Sequence, residues 1–513
     1  MTSTESVYVF RHALLRDAAY QLQLPGDRAR LHGLAFELIE GLSGGRPLEP
    51  PPFDAAGKRT FVAHATDAVA HELADHASRA ASLDESRSLR SAHVLYLRRA
   101  AEVAEQEFRL ESAQECWQKL SGLLVGAHRA EAVRRAGVVA WKRGQTVVAE
   151  GLLRDALELT REVRARRLEG AASGNLASLY QEIGRVKLAE RTFGQALEIY
   201  REFGDRRAES SEMLNLASVY HETGRVELAE QMYDQALAIH LERRDRRSEG
   251  VALMNLANLY RETGRVEMGE LALGRALAIH KRSGNQWFEG VALGNLASLY
   301  RETHRAELAE RTYLRALEIN RQVGNRRSEG VALGNLALVY QETHRLELAE
   351  QSYEEALAIH REVGNQRSEG IALGNLALVY RDTHRLELAE RTHGQALAIH
   401  RGVGDRRFEG IALADLASIF RETGRVELAK RTYEQSLKIL RAVGDRQTEG
   451  TRLGDFALLL LALGKIARAR QTWQQAANIL RQLHDNRTLQ SSTVDMRASC
   501  AKSGVPPFDE EPA

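Results

Sequence analysis

Apolar residues in this chain recur with helical spacing, and the recurrence itself repeats. In residues 327–366, Leu333, Leu336, Ala337 and Tyr340 fall at i, i+3, i+4 and i+7, the stripe of an α-helix that buries one face. After Thr343-His344-Arg345 a second stripe follows: Leu346, Ala349, Tyr353, Ala356 and Leu357. The two predict an antiparallel hairpin of a helix A and a helix B. The small Ala337, Ala349 and Ala356 let the helices approach closely while Tyr340 and Tyr353 fill the remaining volume.

The segment Gly290-Val-Ala-Leu-Gly-Asn-Leu-Ala-Ser-Leu-Tyr300 returns almost unchanged at 330–340 and 370–380, a period of 40 residues. Tyrosine stands at 180, 220, 260, 300, 340 and 380, Phe420 and Leu460 continue the series, and Ala140 precedes it, which defines nine units over residues 132–484. Between the halves of a unit stands Gly144, Gly184, Gly224, Gly264, Gly424 or Gly464, replaced by His304, His344 and His384. A left-handed residue ending helix A explains both choices. Helix B should end at Gly364, with Asn365 capping the next helix; Asp205, Asn285, Asn325, Asp405 and Asp445 repeat the arrangement. No single hairpin buries both its faces, so the units must stack into an all-α, α-α superhelical solenoid.

Composition agrees. All eight prolines lie at or before Pro52 or at and beyond Pro506. A proline inside a helix costs about 3 kcal/mol or more, so this distribution predicts helices throughout the interval. Lysine plus arginine number 71 against 70 acidic residues, which offers no global field for nucleic acid or an anionic membrane. Cys116 and Cys500 cannot build a disulfide framework, and the first residues carry Arg11, Arg16 and Asp17 without the apolar core of a signal peptide. No apolar run approaches a membrane span. These features predict a cytoplasmic protein.

Leu336, Ala337, Tyr340, the Gly-or-His turn, Ala349, Tyr353 and Ala356 resemble the tetratricopeptide repeat. The 40-residue unit with its Gly-Asp or Gly-Asn connection is similar to the longer repeats of kinesin light chains, although Arg361 replaces the closing proline of the shorter repeat. The resemblance implies a scaffold that holds a protein or peptide in the concave groove lined by helices A. Near the start, Tyr8-Val9-Phe10-Arg11-His12, Leu14-Leu15-Arg16, Ala18-Ala19-Tyr20, Arg28 and Arg30-Leu31-His32 resemble the end of the winged-helix part of STAND NTPases. No Gly-x-x-x-x-Gly-Lys-Ser/Thr loop is present; Gly464-Lys465 is followed by Ile466. The alternative reading is therefore the regulatory sensor arm of a split or truncated STAND protein.

These readings divide the chain into a helical or winged-helix remnant at 1–42, a Pro/Gly-rich linker at 43–60 and degenerate hairpins at 61–131. The nine repeats follow at 132–484, then a capping helix at 485–502 and a disordered tail at 503–513.

Candidate chemistry is sparse. His64, His71 and His76 lack the spacing of a metal-binding His-Glu-x-x-His. His240, His280, His360 and His400 recur late in helix B, where a helix C-terminus favours positive charge. The pairs Arg206-Arg207, Arg246-Arg247, Arg326-Arg327 and Arg406-Arg407 precede Glu209, Glu249, Glu329 and Glu409, which predicts solvated salt bridges at helix starts. Catalysis needs unlike groups converging on one point, whereas an array spreads copies of one group along a line. We therefore expect no enzyme activity, cofactor, metal, small-molecule substrate, nucleic acid or membrane partner.

One ladder stands out. Asn175, Asn215, Asn255, Asn295, Asn335 and Asn375 share one place in helix A, about 150° around the wheel from the packing stripe. Under the tetratricopeptide resemblance this is the peptide-binding position, and a carboxamide can both donate to and accept from a ligand backbone. Gly294, Gly334 and Gly374 leave room beside it, and Asp415 and Asp455 end the series. The alternative is that each asparagine bonds to the neighbouring helix A and fixes the stacking.

Overall fold

The computed structural model describes residues 20–50, 61–82, 87–483 and 485–509, and every regular element among them is a helix. Each 40-residue unit becomes two antiparallel helices, as in Arg326–Glu342 followed by Leu346–Glu362. The first such hairpin pairs Gly126–Lys142 with Thr146–Glu162, and the last pairs Arg446–Ala462 with Ile466–Gln482. Helix A opens where Asn325 accepts the Ser328 amide at 3.2 Å, satisfying a donor that the first turn leaves orphaned. It closes at His344, left-handed at φ 59°, where other units place glycine, such as Gly424 at 75°. Helix B ends on Gly364 at φ 66°; Arg164 and Arg244 adopt the same conformation at 55° and 53° despite their side chains.

An arginine after several of the turns joins neighbouring hairpins. The Arg345 guanidinium lies 4.6 Å from the centre of the Tyr340 ring, donates to Thr343 Oγ1 at 3.0 Å and grips Glu310 through bonds of 3.0 and 2.7 Å. Glu310 belongs to helix Ala306–Gln322 of the preceding hairpin, so one side chain ties ring, turn and neighbour together. Arg225, Arg305, Arg385 and Arg425 repeat this with Glu190, Glu270, Glu350 and Glu390.

The chain divides into two compact units at Asp245 and Arg246. In the first, helices Pro25–Leu42, Ala70–Ala80, Arg87–Gln106 and Leu110–Leu123 precede the repeats. Phe36, Leu73, Tyr96 and Trp117 share one core with Ala132 and Val139 of the first repeat helix. Residues 1–19, which carry most of the winged-helix resemblance, lie outside the described residues, as do 51–60 of the Pro/Gly-rich stretch. In the second unit, helix Asn486–Ser503 follows the last hairpin. Past it the chain folds back: Phe508 is buried and Asp509 accepts from Arg497 at 2.9 Å, where composition alone predicts disorder.

Candidate functional site

Helix A divides its surface as the wheel predicts. Leu333, Leu336, Ala337 and Tyr340 are buried, Val331 on the opposite side is 43% exposed, and Asn335 beside it is half-buried. In the second unit Asn255, Asn295, Asn335 and Asn375 repeat that position, all half-buried. Among the described residues no hydrogen bond engages Asn255, Asn295 or Asn335; Asn375 lies beside the buried Tyr353 hydroxyl without forming a bond of good geometry. Successive helices A are instead joined nearly two turns further on, where Gln341 donates to Asp382 at 3.1 Å and Arg301 to Glu342 at 3.3 Å.

The glycines on helix A separate into two kinds. A Cβ on Gly330 would lie 2.8 Å from His360 Cε1, and one on Gly250 would lie 2.4 Å from His280 Nε2, so these glycines are demanded by close packing within the hairpin. A Cβ on Gly294, Gly334 or Gly374 would meet nothing within 4 Å. Glycine in a helix interior costs about 0.5–1 kcal/mol relative to alanine. Three consecutive units carry that cost beside the asparagines with no packing reason for it.

In the first unit the protein's own side chains occupy the ladder. Arg134 donates to Asn175 Oδ1 at 2.5 Å, and Asn215 donates to Glu212 Oε2 at 3.4 Å. Glu212 also fills the space over Gly174, where a Cβ would lie 2.6 Å from its Oε1. Burial raises the Glu212 carboxyl to about 7, with the Asn215 amide opposing the shift. At the far end of the series in the second unit, Arg452 pairs with Asp415 at 2.7 Å and reaches Asp455 at 3.3 Å. Burial raises the Asp455 carboxyl against the pull of that arginine.

Two readings of charged residues require correction. Glu209, Glu249, Glu329 and Glu409 are not solvated: each is at most 4% exposed. Glu329 receives Arg321 at 2.8 Å from the end of the preceding helix B and Arg326 at 2.5 Å from its own helix. The late helix-B histidines are likewise buried, with His280, His360 and His400 packed against Gly250, Gly330 and Gly370 of helix A, rather than placed to use the helix dipole. Burial lowers the pKa of His280, His360 and His400, so the folded chain holds them neutral. No sequence signal distinguished these buried groups from surface ones, because their cover comes from the partner helix.

Among the described residues no cluster of three or more His, Cys, Asp or Glu could hold a metal ion, and no helix is long and apolar enough to cross a membrane. No curated protein matches the chain. Among solved structures, a STAND protein with a tetratricopeptide repeat sensor from Pyrococcus horikoshii is 17% identical, covering 96% of this chain and 68% of its own at a TM-score of 0.47. The apo quorum sensor NprR from B. thuringiensis is 16% identical over 66% of this chain and 96% of its own, TM-score 0.46. Nearly identical TPR-like repeats of a Podosopora anserina kinesin light chain are 20% identical over 38% of this chain and 95% of their own, TM-score 0.32. The model of the tetratricopeptide repeat matches residues 128–202, 209–282, 288–362 and 368–442. With more than half of its residues inside those four matches, the chain belongs to the tetratricopeptide repeat family.

Proposed function

We propose that the protein is a non-catalytic interaction scaffold that holds an extended peptide or protein segment along helices A, with Asn255, Asn295, Asn335 and Asn375 pairing with its backbone. The observation that carries this is the coincidence of unengaged asparagines with glycines that packing does not require, Gly294, Gly334 and Gly374. Glycine removes the Cβ that would hold a ligand backbone away, and the neighbouring carboxamide supplies a donor and an acceptor whatever the ligand's side chains. Asn175 and Asn215 carry the same group, and a ligand there must displace Arg134 and Glu212. The test is an affinity pull-down with the full chain, followed by mass spectrometry and titration of a captured partner. Asn295→Ala with Asn335→Ala should weaken that partner's binding and leave the melting temperature within a degree or so, because trimming a half-buried side chain that bonds nothing within the protein costs at most about 0.5 kcal/mol. Unchanged affinity with a melting temperature several degrees lower would make the ladder structural.

A further inference from the structure

Beyond the first two repeats, whose helices A begin after Val125 and Ala165, the caps of helices A are aspartate or asparagine, and the difference leaves a localised patch. Where the cap is aspartate, the second residue of the preceding helix A reaches over and bonds it: Arg167 to Asp205 at 2.6 Å, Arg367 to Asp405 at 2.9 Å and Arg407 to Asp445 at 2.7 Å. Gln447 contacts Asp485 in the same way at 3.3 Å. Three consecutive caps in the second unit are asparagine instead: Asn285, Asn325 and Asn365. The residues that would reach them are Arg247, Trp287 and Arg327. Neither arginine has an ion-pair partner among the described residues; Arg247 lies over the Phe288 ring at 5.4 Å, and Trp287 is 49% exposed. Both arginines are exposed. Exchanging aspartate for asparagine thus removes a compensating charge at each step and frees two guanidiniums on either side of an open indole.

These helices coincide with those of the unengaged ladder. Helices Arg246–Glu262, Gln286–Glu302 and Arg326–Glu342 carry Arg247, Trp287 and Arg327 in their first turn. The same helices carry Asn255, Asn295 and Asn335 in their middle. We infer that this edge selects the partner: the segment held along helices A carries acidic side chains toward Arg247 and Arg327, with an apolar side chain between them against Trp287. A guanidinium without an internal carboxylate is desolvated and paired most favourably by a carboxylate of the ligand, and the positive ends of the helices A act in the same sense. An exposed tryptophan contributes a large rigid contact at small entropic cost, which suits an apolar residue between the two charges. This inference rests on the scaffold reading above and adds the sign of the partner's charge.

A library of random linear peptides displayed on phage, selected against the full chain, reads that sign directly. Enriched sequences should be acidic with aliphatic or aromatic residues interspersed. An enriched acidic peptide should lose about ten-fold in affinity on Arg247→Glu with Arg327→Glu, and the loss should shrink as salt is raised. Both positions are exposed, and helical circular dichroism of the variant checks that it is folded. Enrichment without an acidic bias, an acidic bias that survives the charge reversal, or no enrichment at all would overturn the inference. The arms separate the two readings. Peptides without acidic bias that are lost in Asn295→Ala with Asn335→Ala leave the scaffold reading standing and this one refuted. Acidic peptides that respond to charge reversal and not to the asparagine changes refute the amide ladder alone.

Discussion

Replacing Gly334 by alanine should stabilise the protein, whereas the same replacement at Gly330, one turn earlier in helix Arg326–Glu342, should destabilise it. Both substitutions gain the helix propensity of alanine, about 0.5–1 kcal/mol. At Gly334 the new methyl group meets nothing within 4 Å, so that gain is the whole effect. At Gly330 the methyl would sit 2.8 Å from His360 Cε1 and 3.0 Å from Ile359 Cγ2, on a histidine that is only 3% exposed. Overpacking of that kind costs about 1–3 kcal/mol, more than propensity returns, and leaves a net loss of up to about 2.5 kcal/mol. Urea unfolding of the full chain followed by far-ultraviolet circular dichroism gives the sign. Because repeat arrays depart from two-state behaviour, amide exchange in residues 326–342 gives the local free energy. A destabilised Gly334→Ala, or a Gly330→Ala as stable as the parent, would refute the division of these glycines into an open and a packed set. The stabilised Gly334→Ala should also bind its partner more weakly, since its methyl group stands where the ligand backbone is proposed to approach.

Two further outcomes follow from buried and bridging charges. Burial lowers the pKa of His280, His360 and His400, so the unfolded chain takes up protons more readily than the folded one. The stability these rings confer is complete above the unfolded value of about 6.5 and is lost as pH falls below it. The melting temperature should therefore drop between about pH 7 and pH 5. Changing all three to asparagine, the residue that stands at the same place as Asn320, should flatten that drop; an unchanged slope would refute the assignment. Arg345→Ala should cost about 1–2 kcal/mol by losing the Tyr340 ring contact and both bonds to Glu310, measured by urea unfolding. Arg345→Lys should recover less than half, because an ammonium cannot reproduce the two-bond grip, and full recovery would argue against it.

The pattern of Leu333, Leu336, Ala337 and Tyr340 against Ala349, Tyr353 and Ala356, repeated every 40 residues, was sufficient to fix helix, hairpin and stacking. Each of these follows from local periodicity and from the impossibility of burying a hairpin alone. The turn conformations were equally legible, since His304, His344 and His384 substitute where glycine otherwise stands, and all three are left-handed. Position around the helix was legible too: Asn335 faces away from the packing stripe as its spacing requires.

Occupancy was a different matter, because it depends on which side chain arrives from a neighbouring helix. Asn175 and Asn335 are indistinguishable in the repeat, yet Arg134 bonds the first and no side chain bonds the second. Gly330 and Gly334 look alike in sequence, and it is His360 and Ile359 across the hairpin that make one of them obligatory. Glu329 reads as a surface partner of Arg326 until Arg321 closes over it from the preceding helix B. The bond from Arg345 to Glu310 spans two hairpins and leaves no trace in local spacing. Sequence by itself determined what repeats along the chain, since the backbone and the burial of one face set that rule. Tertiary structure alone decided which copies of a repeated residue remain open, since that follows from side chains far apart in sequence meeting at a single point in space.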